Sequence, residues 1–119
     1  MKRGRIYMDN ARTFEKITKL AGKKKSAKIL KFLDSKEPEV VVAALKALSE
    51  IKDEDSVNAI DHRIDSENVE IRKEAALALG EIGTEYAKTH LQHKMASEQD
   101  ETVKAAIKEA LKKIADSRK

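Results

Sequence analysis

The sequence predicts an all-α protein: a short right-handed α-solenoid, or α-α superhelix, of about three and a half helical hairpins. Three observations predict it. The composition leans on Ala, Leu, Ile, Lys and Glu, with 16 Ala but one Pro, four Gly, two Phe, two Tyr and no Trp in 119 residues. Straight-chain residues lose little rotamer freedom in a helix, whereas a sheet draws on more β-branched, aromatic and turn residues. The apolar residues recur at helical spacing, and the chain repeats its own pattern.

The repeat is read by aligning residues 34–51 (DSKEPEVVVAALKALSEI) with 65–82 (DSENVEIRKEAALALGEI), gap-free at an offset of 31, with eight of eighteen positions identical. Val40, Ala44, Ala47, Leu48 and Ile51 run i, i+4, i+7, i+8, i+11, one stripe on a helix. Ile71, Ala75, Ala78, Leu79 and Ile82 repeat the stripe, and Val103, Ile107, Ala110, Leu111 and Ile114 repeat it again at an offset of 32. A single helical pair cannot bury such a face, so neighbouring pairs must stack.

Along the chain, residues 1–9 read as a flexible tail, and Met8 offers an alternative start. Phe14, Ile17 and Ala21 mark a degenerate first helix over 10–21, closed by Gly22. "SAKILKFL" supplies Ile29 and Leu33 to a helix over 24–33. Asp34-Ser35 precede the next helix (37–51) as capping residues, and Pro38 suits its first turn. A shorter helix over 54–64 carries Ile60 and Ile64. Asp65-Ser66 cap a helix over 68–82, ended by Gly83, and the helix over 84–95 places Leu91 and Met95 where Ile60 and Ile64 stood. The last helix (99–116) bears Lys104, Lys108, Glu109, Lys112 and Lys113, a polar outer cap. These helices pair into units of about 10–33, 34–64, 65–95 and 96–119 within a single domain spanning 1–119.

Charge divides the chain. Residues 1–33 hold eleven Lys/Arg against Asp9 and Glu15, a net +9, and the other 86 residues carry −5. The absence of Cys removes disulfides, thiolate metal sites and thiol chemistry, and suits a reducing cytoplasm, the expected location. "MKRGRIYMDN" lacks the apolar core of a signal peptide, and no run is long enough to insert into a membrane.

"VEIRKEAALALGEIG" (69–83) resembles the PBS-lyase-type HEAT-like repeat, whose first helix reads V-R-x-x-A-a-x-a-L-G-x-I-G; here Ile71-Arg72, Ala75, Leu79-Gly80 and Ile82-Gly83 occupy those places. The copy at 34–51 has Val41 for the Arg and Ser49 for the Gly, and the resemblance covers about 34–116. It implies a structural ion pair from Arg72 to an acid in the neighbouring inter-helix turn, Asp53 or Asp55. It also implies an interaction scaffold whose second helices form the concave, partner-binding face. The enzymatic branches lose their defining residues: no Trp for a glycosylase, no His-Glu dipeptide for a di-iron hydroxylase, and too few repeats to enclose a bilin chromophore. Fold alone does not give function.

The expected binding surface is the row Lys24, Lys28, Lys31, His62, Tyr86, His90 and His93 on the second helices. His90 and His93, three apart, could present two ligands to a metal, but no third ligand is evident, so no metal, cofactor or catalytic residue is assigned. No Ser-His-Asp arrangement can be argued, and "AGKKKS" lacks the first Gly and the spacing of a phosphate-binding loop. The leading expectation is a non-enzymatic module binding another protein. The alternative is a nucleic-acid-binding module using Lys23, Lys24, Lys25, Lys28 and Lys31, for which phosphate attraction would suffice although no aromatic residues are interleaved for base stacking. Self-association through an end helix is a further expectation.

Overall fold

The structure, a computed structural model, describes residues 2–117, with side chains from Asn10 to Ser117. Among the described residues seven α-helices follow one another: α1 (Lys2–Gly22), α2 (Ser26–Leu30), α3 (Pro38–Ile51), α4 (Glu54–Arg63), α5 (Val69–Ile82), α6 (Glu85–Ser97) and α7 (Glu101–Asp116). No strand occurs among the described residues. The fold is an α-solenoid. First helices α1, α3, α5 and α7 stack in one layer, with α2, α4 and α6 behind them.

The apolar stripes do what their spacing predicts. Ile17, Ile29, Leu48, Ile60, Leu79, Leu91, Ile107 and Ile114 belong to one buried cluster that runs the length of the stack. Each large aliphatic side chain so buried contributes about 1.5–3 kcal/mol. Helix α3 also buries Val41 and Leu45, off the expected stripe, because it lies between α1 and α5 and packs on both flanks.

Local signals set most helix ends. Asp53, Asn68, Thr84 and Asp100 each accept the first free backbone N–H groups of α4, α5, α6 and α7. Pro38 stands at the first turn of α3, and Gly83 closes α5 at φ 72°. One period earlier, Lys52 closes α3 in the same left-handed conformation, at φ 62°.

Several expectations need correction. Helix α1 begins at Lys2, so the stretch expected as a tail over 1–9 has a helical backbone from Lys2; no Pro interrupts it, and the helix runs on through Asp9 and Asn10. The helix expected over 24–33 splits into a short α2 and a 3-10 turn (Lys31–Asp34). Lys24 has φ 55° and the N-cap Lys25 makes no side-chain bond, so this helix starts late and uncapped. Asp34 and Asp65 do not cap α3 and α5. The hydroxyls of Ser35 and Ser66 accept N–H bonds from Glu37 and Asn68, while the two aspartates turn outward to bind Arg63 and Lys94 on the second helices of their own units. Arg72 pairs neither with Asp53 nor with Asp55, because Glu98 is closer to hand.

Candidate functional site

Helices α2, α4 and α6 form the second-helix face. Lys24 lies in the turn before α2, Lys28 on α2 and Lys31 on the 3-10 turn, all exposed. His62 lies on α4, and Tyr86, His90 and His93 on α6; His62 and His93 point to solvent.

Of these, Tyr86 and His90 come together around a residue that sequence reasoning missed, Asp61 of α4. The Tyr86 hydroxyl donates to Asp61 Oδ2 at 3.0 Å, and His90 Nδ1 lies against Asp61 Oδ1. The two rings sit 5.5 Å apart and tilted by 59°. Hydrogen bonding to the Asp61 carboxylate, reinforced by its negative charge, raises the Tyr86 phenol above its ordinary pKa, because the bound phenol resists losing its proton. The result is an aromatic ring held upright on the surface, 55% exposed, with two helices fixing it. Among the described residues no three His, Asp or Glu side chains converge as metal ligands, and His62 takes no part in the cluster.

A signal for these contacts does exist in the sequence. Arg63 bonds Asp34 at 3.3 Å, Lys94 bonds Asp65 at 2.9 Å, and His90 meets Asp61, each pair separated by 29 residues. A residue on a second helix therefore reaches 29 residues back, two short of the 31-residue period: Arg63 and Lys94 to the turn before the first helix of their own unit, His90 to the second helix of the unit before. A search for opposite charges at that interval would have found Asp61.

Two further polar links join successive units. Asp53 accepts from Ser26 Oγ, and that bond together with those from Ser56 lowers the Asp53 pKa. Arg72 donates from Nε and Nη2 to Glu98 at 3.0 and 3.1 Å, and from Nη1 to the Ser66 and Glu67 carbonyls. Burial alone would raise the Glu98 pKa; the Arg72 bonds and the Asp100 N–H outweigh it and hold the carboxyl below its ordinary value.

The Lys-rich alternative has its own geometry. Lys23, Lys24, Lys25 and Lys28 surround a shallow hollow of about 430 Å³ with Ser26 at its edge. None of the four makes an ion pair among the described residues.

A stack of helical pairs on one core, with side-chain links at a fixed interval, defines a helical-repeat protein. A family model for HEAT repeats matches residues 26–112, which is most of the chain, and the chain belongs to the HEAT-repeat family. HEAT repeats commonly mediate protein–protein interaction. A comparison with curated proteins returns no match. No described helix is long and apolar enough to cross a membrane.

Proposed function

We propose that the chain is a non-enzymatic, cytoplasmic protein-binding module whose contact surface is the second-helix face, with Lys24, Lys28, Lys31, His62, Tyr86, His90 and His93 as its contact residues. Tyr86 is the observation that carries this reading. Among the described side chains it is the most exposed of the large apolar ones, and it is already fixed by Asp61 and His90. A rigid aromatic ring loses little entropy when a partner covers it, and Tyr is enriched among residues that dominate binding energy. The flanking histidines and lysines supply a polar rim.

The test is site-specific photo-crosslinking in cells from position 86 and position 93, read by mass spectrometry, beside a control position on α1. The same adducts from 86 and 93 but not from α1 are expected, with Tyr86→Ala weakening capture of that partner about tenfold or more. Capture unchanged by Tyr86→Ala would refute the placement.

The second reading, nucleic-acid binding, is favoured by the four lysines around one hollow. It predicts salt-sensitive retardation of DNA or RNA that disappears in Lys23→Glu, Lys24→Glu, Lys25→Glu, since removing each phosphate-binding lysine lowers the salt slope by about one. No retardation at low salt would remove this reading.

A further inference from the structure

The opposite face, formed by the first helices, holds a groove of about 550 Å³ between α3, α5 and α7. Leu77, Ala78 and Ala110 form its apolar floor. Glu50, Glu74 and Glu109 stand around it, and none has an ion-pair partner among the described residues; Glu81, also there, is paired with Lys113. Lys46 is the remaining cation on the rim. The groove is therefore apolar at its base and carries an excess of unpaired carboxylates.

The same layer carries the complement. Arg12, Lys16 and Lys19 are exposed on α1 at i, i+4 and i+7, one stripe of the helix, and none makes an ion pair among the described residues. Two repeat periods later, those three positions are Glu74, Ala78 and Glu81. Equivalent positions in stacked helices face the same way, so the basic stripe and the acidic groove lie on one surface of the layer. Within one copy α3 stands between them and both point outward, so they satisfy each other only across two facing layers.

We propose that this face is a self-association surface, in which the α1 stripe of one copy lies in the α3–α5–α7 groove of a second and the reverse contact closes the pair. A second copy fits better than a foreign basic helix because it answers both unpaired charge sets at once. A surface that is its own complement gives a closed two-fold dimer instead of an open chain. The apolar floor supplies area, and the charges set register and salt sensitivity. The Tyr86 cluster lies on the other layer, so this surface and the proposed partner site stand or fall separately.

Sedimentation velocity on the full chain tests it, with salt raised from about 0.05 to about 0.5 M to shorten the range of the charge interactions. A dimer at low salt that dissociates at high salt is expected. Lys16→Glu/Lys19→Glu and Glu74→Lys/Glu109→Lys should each weaken the dimer about tenfold or more. Mixed one to one, the two variants should recover a heterodimer, because reversed stripe meets reversed groove while the unaltered pair meets as before. Circular dichroism checks that each variant folds, and Lys16→Gln/Lys19→Gln, which should weaken the dimer less, replaces the first if it does not. A monomeric wild type at low salt, a dimer indifferent to salt or to both variants, or folded variants that do not recover on mixing would each overturn the proposal.

Discussion

At position 80 there is room for hydrogen and nothing larger. A Cβ built there would lie 2.8 Å from both Cα and Cβ of Ala110, so α7 would have to move. Gly80→Ala gains about 1 kcal/mol of helix propensity, and overpacking against backbone costs about 1–3 kcal/mol. The net expectation is a loss of up to about 2 kcal/mol, measured by urea denaturation. Lys52 presents the opposite case. It adopts the left-handed cap that Gly83 fills one period later, and strain for a side chain there is about 1–2 kcal/mol against an entropy cost for Gly of about 0.5–1 kcal/mol. Lys52→Gly should therefore stabilise by about 0.5–1 kcal/mol in the same urea experiment. Gly80 was legible as a departure from Ser49, because the repeat exposes such differences. Its contact with Ala110 was not, because the sequence does not say how near a neighbouring helix comes.

Between elements, a single guanidinium acts as a clasp. Arg72 reaches back to two carbonyls in the turn before α5 and forward to Glu98 in the turn before α7. The Glu98 side chain is 3% exposed and that of Arg72 17%. Removing either leaves a nearly buried polar group unpaired, and Arg72→Ala should cost about 2–4 kcal/mol. Acid should act on the same clasp. Glu98, Asp53 and Asp100 all have folded pKa values below the ordinary ones, so their contribution is complete above the unfolded values of about 4 and is lost as pH falls through the folded ones. The melting temperature should drop below about pH 4, and Glu98→Gln, less stable at neutrality, should show a shallower drop. An equal slope in variant and wild type would assign the acid sensitivity elsewhere. The Arg was recognisable from its place in the repeat. Its partner was misassigned because turns are where copies diverge: "KDEDS" offers acids in the wrong turn, and "SEQD" holds the one that is used. Asp34 and Asp65 mislead in the opposite way: they are identical in both copies and of capping type, yet they receive Arg63 and Lys94.

For the molecule as a whole, one core cluster extends from Ile17 on α1 to Ile114 on α7, and α5 and α7 pack more extensively than any other pair. Deleting α7 strips Val103, Ile107, Ala110 and Ile114 from that cluster and bares the apolar side of α5. A chain ending at Asp100 should lose cooperative unfolding by circular dichroism, since a terminal unit with a polar outer face is what closes a stack of this kind. A sharp transition at an unchanged temperature would show α7 to be dispensable. Composition and period made this architecture readable, because every copy must bury the same stripe. The candidate sites were readable only in part. Lysines and histidines on the second helices can be placed by register, whereas Asp61, which joins Tyr86 to His90, follows the 29-residue contact interval instead of the 31-residue repeat, and the folded stack is what shows that interval.

The difference between Gly80 and Ser49 also reaches beyond packing. A stack whose steps were all alike would coil as a regular screw. Here the α5–α7 step closes on a bare Cα, while the α3–α5 step carries a buried hydroxymethyl at the equivalent place. Successive steps of the stack are thus not equivalent: a side chain is excluded at one and admitted at the next. Ser49 also lines the hollow that opens along the first helices, so the residue that breaks the regularity borders the groove itself.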